Sequence, residues 1–394
     1  MSRRIGVEER RARLGVRHQL ACEARAGAVT DVADALVALH STDPATVYLS
    51  AAARLREPDP AAVERALYEE RTLVRILGMR RTIFVVRREL VAVVHAACTR
   101  AIAADQRRRL AKTLRDFGGI ADADAWLRRV EEATLRVVRE RGEVYGADVS
   151  AEVPELRTQI LMNEGKKYEG MLNLTTRVLF LLSADERIVR GRPRGSWVST
   201  QFKWSPMEAW LPDGVEEVAA EAARAELVRR WLRAYGPGTA ADVRWWTGWA
   251  ARDVTRALRD VGAVEVELDE GPGFVLGDDV DPVPAPAPWV RLLPALDPTV
   301  MGWIGRGWFL GEHGPQLFDG TGNAGPTVWC DGRVAGAWAR RPDGEVAFRL
   351  LEDVGADATR AVEEEAARLS AWIGTAALAP RGRGASPLER ELSG

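Results

Sequence analysis

The stretch TDVADALVALHSTDPATVYLSAAARLREPDPAAVERALYEERTLVRILGMRRTIFVV, residues 30–86, decides the fold. From Thr30 to Leu39 the apolar positions Val32, Ala35, Leu36 and Leu39 recur at helical spacing, and a second helix begins after Pro44 through Val47 and Ala51. A third covers Pro60 to Glu70. The run LVRILGMRRTIFVV then alternates, is rich in β-branched residues and carries Gly78 at its middle, which predicts a β-hairpin. Three short helices followed by a hairpin make a winged helix.

The same pattern recurs outward from there. After helical stretches at Leu90–Leu114 and Asp122–Arg139, residues 143–184 read as short helices closing on LTTRVLFLLSA, and ERIVRGRPRGSWVS reads as strand, turn, strand. That second wing holds Arg187, Arg190, Arg192 and Arg194, spaced so that several can project from one hairpin towards phosphates. A third copy comprises a helix at Glu217–Tyr235, the break GPGT, a helix to Trp249, ARDVTRALRDVG, and VEVELDEGPGFVL as a last hairpin. The repetition is one of structural pattern and not of sequence. The Pro-rich segment DDVDPVPAPAP at 278–288 marks a boundary. Beyond it, Asp331-Gly332 and Pro342-Asp343-Gly344 punctuate strand-like runs, which predicts a small antiparallel sheet or barrel before a helix at Ala358–Trp372 and a polar tail.

The totals bound the function. At 394 residues the chain exceeds what one core usually supports, and 46% hydrophobic with 28% charged residues is ordinary for a folded protein. The net charge of -2 hides an asymmetry: residues 1–116 carry 22 Lys/Arg against 14 Asp/Glu, whereas residues 117–394 carry 33 against 43. Any basic surface is therefore local. Cys22, Cys98 and Cys330 are too far apart for a zinc site and odd in number, which fits a reducing cytoplasm. The charged N-terminus has no apolar signal core and no long apolar run occurs, so neither secretion nor a membrane partner is expected.

Several motifs have two readings. Gly320 to Gly325 spells GxGxxG, but it precedes a strand instead of opening a helix, so it reads as a glycine-rich loop and not as a dinucleotide site. Trp245, Trp246 and Trp249 can stack bases but sit at helical spacing, which favours core packing. Arg107, Arg108 and Arg109 form either a solvated helix face or a phosphate contact. His18, His95 and His313 have no partner at ligand spacing, so no metal is expected. In HSTDP, residues 40–44, capping explains Asp43 and Pro44: a side chain accepts a backbone N–H at the helix start and proline takes the first helical position. His40 is less well explained, because a polar ring ends an apolar face; it is either a buried histidine satisfied by a backbone carbonyl or a functional group.

The order of elements, together with VALHSTDPATVYLSAAARL, RTLVRILGMRRTIFVV, YGPGTAADVRWWTGW and LLPALDPTVMGW, resembles the winged-helix DNA glycosylases of the AlkZ/YcaQ type over nearly the whole chain. The resemblance implies an α+β, mainly helical fold: three tandem winged-helix modules (residues 1–118 with a following helix, 119–205 and 206–280) and a small antiparallel β-barrel with a C-terminal helix (281–394), forming a C-shaped DNA clamp. It implies removal of alkylated or crosslinked purines from double-stranded DNA without a cofactor, by a monomer in the cytoplasm at the nucleoid. The family motif LQxQDP, or its variant with Asp as second polar residue, is matched here by LHSTDP. His40 and Thr42 thus occupy both catalytic positions and depart from the pattern at each, while Asp43 matches the residue after the motif.

Hydrolysis of an N-glycosidic bond passes through an oxocarbenium-like sugar and needs a positioned water. A neutral imidazole at position 40 can take a proton from that water, whereas a protonated one would oppose the developing cation. The Thr42 hydroxyl can orient the water, with less acceptor strength than Gln and no charge. By the same resemblance Arg80 and Arg81 on the first hairpin, the four arginines of the second wing, and Arg340 and Arg341 in a minor-groove hairpin are the DNA contacts. Two other classes stand beside the glycosylase: a DNA- or DNA-ligand-binding regulator that has lost the chemistry, and a winged-helix scaffold for a small molecule or protein.

Overall fold

The computed structural model describes residues 3–162, 165, 169–378 and 384–394. After α1 (Val7–Arg17), the first unit runs α2 (Val29–Ala35), β1 (Leu39–His40), α3 (Pro44–Ala52), α4 (Pro60–Glu64) continued by a π turn, β2 (Leu73–Leu77) and β3 (Ile83–Arg87). Its sheet has the order β1-β3-β2, all antiparallel. A link of α5 (Val91–Val94) and the long α6 (Arg100–Asp116) leads to the second unit.

That unit repeats the order: α7 (Ala123–Arg141), β4 (Val144–Tyr145), α8 (Gly146–Glu152), then β5 (Gln159–Met162) and β6 (Gly170–Asn173), α9 (Leu174–Ala184), β7 (Ile188–Pro193) and β8 (Phe202–Pro206). Again the short strand pairs with the second arm of the hairpin, giving β4-β8-β7. The inserted β5–β6 hairpin was not legible in the sequence, where 143–184 reads as helices; Ile160 is buried between exposed neighbours, too short an alternation to stand out. The third unit is α10 (Ala220–Tyr235), α11 (Ala240–Thr247), α12 (Ala251–Asp260), β9 (Val264–Leu268) and β10 (Gly271–Val275). Here a single antiparallel bridge, Gly238 to Phe274, stands where the other units have a short strand, and it too falls on the second hairpin arm.

Two expectations are corrected. The second wing does not close at Ser196–Ser199: β8 begins only at Phe202, because Trp197 leaves the ladder and is buried at 5.1 Å from the Tyr48 ring and 5.7 Å from Trp372. Nor is there a barrel. Strands β11 (Val290–Leu293), β12 (Thr327–Cys330), β13 (Arg333–Arg340) and β14 (Val346–Leu350) form an open antiparallel sheet in that order, with α13 (Gly307–Leu310) and α14 (Gly314–Leu317) between β11 and β12. Four short strands are too few to close a filled cylinder. Instead α15 (Ala356–Ile373) crosses the sheet from β11 to β14, and α16 (Pro387–Leu392), in a stretch whose composition predicts only a polar tail, packs on β13. A Ser386–Glu389 capping box opens α16, and Leu388 and Leu392 are buried. Asp331 and Gly332, both at positive φ, make the tight β12–β13 turn.

One apolar core runs through the first unit, the third unit and the C-terminal sheet, whereas the second unit closes around its own core of Leu127, Val138, Val178 and neighbours. The first core is pinned by an ion pair without solvent exposure. Arg54 at the end of α3 meets Asp297 bidentately, at 2.7 and 2.9 Å. The remaining three N–H groups of Arg54 go to the carbonyls of His18 and Ser50 and to Thr299 Oγ1. Asp297 also accepts from Ser50 Oγ and the Thr299 N–H, so burial, which would raise its pKa, is outweighed by Arg54 and these bonds, and the carboxyl stays below its ordinary value. Thr299 in turn donates to Nδ1 of neutral His18, whose Nε2 reaches the carbonyl of Ala234. Replacing one partner strands a buried charge. Arg54→Met should lower unfolding free energy by about 3–5 kcal/mol in urea titration, and Arg54→Met/Asp297→Leu should recover most of the loss.

Candidate active site

The segment from Leu39 to Thr46 is fixed at both ends. Strand β1 is only two residues long, with His40 opposite Phe84, and the Ser41 N–H donates to the Ile83 carbonyl at 2.9 Å to extend the register. Side chains alternate along a strand, so His40 and Ser41 point to opposite faces. His40 is 8% exposed, and its ring lies edge-on to Phe84, centroids 5.6 Å apart. Thr42 then emerges into solvent. Asp43 Oδ1 accepts the Ala45 N–H at 3.0 Å, and Pro44 is the first residue of α3, which fixes the helix start immediately behind Thr42.

Behind the joint lies a buried cation. Arg75, on β2, is 4% exposed and donates from Nε to Ser41 Oγ at 2.8 Å. Its only signal in the sequence is one cation in the apolar run LVRIL. Arg190, on β7, stacks over Phe202 at 4.4 Å; burial, then the charge of Arg75, pushes its pKa down to about 10. Two guanidiniums without a carboxylate partner among the described residues thus stand between the first and second units.

The remaining arginines divide by environment. Arg80 and Arg81 are exposed at the β2–β3 turn, both in the left-handed region at φ 51° and 61°. Arg80 lies over the Trp245 ring at 3.9 Å, and Arg81 donates to Gln106 Oε1 at 3.3 Å. Arg187 is exposed, as is Arg194, which reaches Gln201 Oε1 at 3.4 Å. Arg192 is ion-paired with Glu64 and Glu69, at 2.8 and 3.2 Å, and holds the second hairpin against α4 and the π turn after it. Arg340 donates to the carbonyls of Gly374 and Ala376 at the end of α15, and Arg341 pairs with Glu345 across its own turn at 2.7 Å. Hence Arg80, Arg81, Arg187 and Arg194 face solvent without an ion pair among the described residues, while Arg190, Arg192, Arg340 and Arg341 are engaged within the protein.

Among the described residues no three His, Cys, Asp or Glu side chains gather as a metal site. No described helix is long and apolar enough to cross a membrane. Trp246 is buried in the core, but Trp245 is only partly so and carries Arg80 and Arg306 on its ring. Gly320–Gly325 is a loop ordered by Asp319, which accepts from the Thr321 and Asn323 N–H groups at 2.8 Å each.

A family model described as DNA glycosylase AlkZ-like matches residues 33–372. Among solved structures the chain is similar to Streptomyces sahachiroi DNA glycosylase AlkZ, with a TM-score of 0.70 and 19% identity over 94% of this chain and 97% of that one. No curated protein matches the chain. If Asp43 acts by capping, Asp43→Ala should cost about 1 kcal/mol in thermal unfolding, with Asp43→Asn near the parent.

Proposed function

The chain belongs to the DNA glycosylase AlkZ-like family, and on that premise we propose that it hydrolyses the N-glycosidic bond of alkylated or bulky purine adducts in duplex DNA, in base excision repair or resistance to a genotoxin. The three repeats of helix, short strand or bridge, two helices and hairpin support reading each unit as a winged helix. The three units and the open sheet would together clamp the duplex, with the protein acting as a monomer at the nucleoid.

The observation that carries this reading is the rigid His40-Ser41-Thr42 joint, which lies within the matched residues and presents Thr42 to solvent between a paired strand and a capped helix. Thr42 Oγ holds the attacking water, and neutral His40 takes its proton as the oxygen bonds to the anomeric carbon. The glycosidic electron pair leaves with the base, and a cationic N7- or N3-alkylated purine departs neutral without needing an acid. Arg75, through Ser41, fixes the backbone between the two groups. Arg80, Arg81, Arg187 and Arg194 supply phosphate contacts.

One observation favours a second reading. His40 is nine-tenths buried against Phe84, as expected of a packed residue in a DNA-binding protein without glycosylase chemistry. Base release from duplexes carrying N7-alkylguanine or N3-alkyladenine separates the two. The parent should release base above the spontaneous rate, with a loss of about 100-fold or more in His40→Ala and a smaller one in Thr42→Ala. No release despite tight binding would establish the second reading. Log affinity should fall linearly with log salt, and Arg81→Ala should reduce the slope by about 0.9 if it meets a phosphate; a flat response would count against the clamp.

A further inference from the structure

The segment Ile304-Gly305-Arg306-Gly307, joining the 294–303 region to α13, is held in an unusual way. Ile304 is among the few large apolar side chains left exposed, at 52%. Its backbone is nevertheless rigid. Asp242, fully buried on α11, accepts the Ile304 and Gly305 N–H groups on one oxygen, at 3.0 and 2.9 Å, and the Thr239 N–H and hydroxyl on the other, at 2.9 and 2.8 Å. A single exposed aliphatic side chain is common; one displayed on a loop locked by a saturated buried carboxylate is not explained by packing.

Its neighbours are cationic. Arg306 lies over the Trp245 ring at 4.8 Å, the ring that also carries Arg80 at 3.9 Å. Gly248, the cap that ends α11, leaves room for Arg80, whose Cγ would lie 3.2 Å from a Cβ at that position, so the β2–β3 turn, α11 and the loop meet at one edge. Exposed Arg81 and Arg244 extend it. None of these four arginines is ion-paired among the described residues, and burial, then the charge of Arg80, pushes the pKa of Arg306 down to about 10. Like charges are gathered around one rigid apolar tip, and the carboxylate that acts on Arg306 is the buried Asp242, whose oxygens are already engaged by backbone and hydroxyl donors. Polyanionic duplex DNA complements both features, since phosphates answer the guanidiniums and an aliphatic wedge can enter a base step.

The geometry points to Ile304 as a wedge that parts a base step of bound DNA while Arg80, Arg81 and Arg244 grip the flanking phosphates. This rests on the reading of the chain as a duplex-DNA binder but not on any chemistry at His40. The test uses the full chain and duplexes with 2-aminopurine at single positions, following anisotropy for binding and 2-aminopurine emission for unstacking. The parent should raise emission several-fold at one position. Ile304→Ala should still bind with a parent-like salt slope yet lose most of the rise, and Ile304→Leu should restore it. A bound parent without any rise, or Ile304→Ala with the full rise, overturns the wedge. Absence of binding by the parent in the anisotropy channel would instead remove the DNA reading itself.

Discussion

The buried contact between Arg54 and Asp297 constrains the rest of the molecule. It joins residues 243 positions apart, the end of α3 and the loop after β11, in surroundings that exclude water. Such a pair is tolerable only when every donor and lone pair is used. That requirement recruits His18, Ser50 and Thr299, and with them α1, α3 and the carbonyl end of α10. Helix α3 is therefore set against the C-terminal region with little freedom, and Thr46 Oγ1 adds a further bond to the Ala295 carbonyl.

The candidate site inherits that rigidity. Thr42 and His40 precede α3 directly, so the same contact that locates the helix locates the joint, while β3 fixes its other side. Hydrolysis of a glycosidic bond depends on water held at one distance from one carbon, and groups on short, doubly anchored segments hold such distances better than groups on free loops. The open C-terminal sheet serves mainly as the surface on which this frame is built. Its turn arginines close the end of α15 and their own hairpin instead of reaching outward.

Charge is partitioned by the same logic. Between units, Arg192 finds carboxylates, Arg190 an aromatic ring and Arg75 the Ser41 hydroxyl. At turns the outcome differs from one to the next: Arg80, Arg81 and Arg187 lie exposed, whereas Arg341 pairs with Glu345 across its own hairpin. The balance of the whole chain conceals this, because acids pair with arginines both between units, as Glu64 and Glu69 do with Arg192, and along single helices, as Asp105 does with Arg109.

Local physics alone determined a good deal. Helical and alternating periodicity marked α2, α3, the β2–β3 hairpin and the third unit, and Asp-Pro and Asp-Gly pairs marked a helix start and a tight turn, because caps and left-handed turns need specific residues within a few positions. The LHSTDP joint was visible for the same reason. Tertiary structure decided what depends on partners distant in the chain: that Trp197 leaves its hairpin for Tyr48 and Trp372, that four strands stay open beneath a helix, that Arg75 stands behind Ser41, and which arginines form ion pairs among the described residues. Spacing in a sequence reports the periodicity of one element; burial and ion pairing are settled by whichever residue the fold brings opposite, and no local signal carries that.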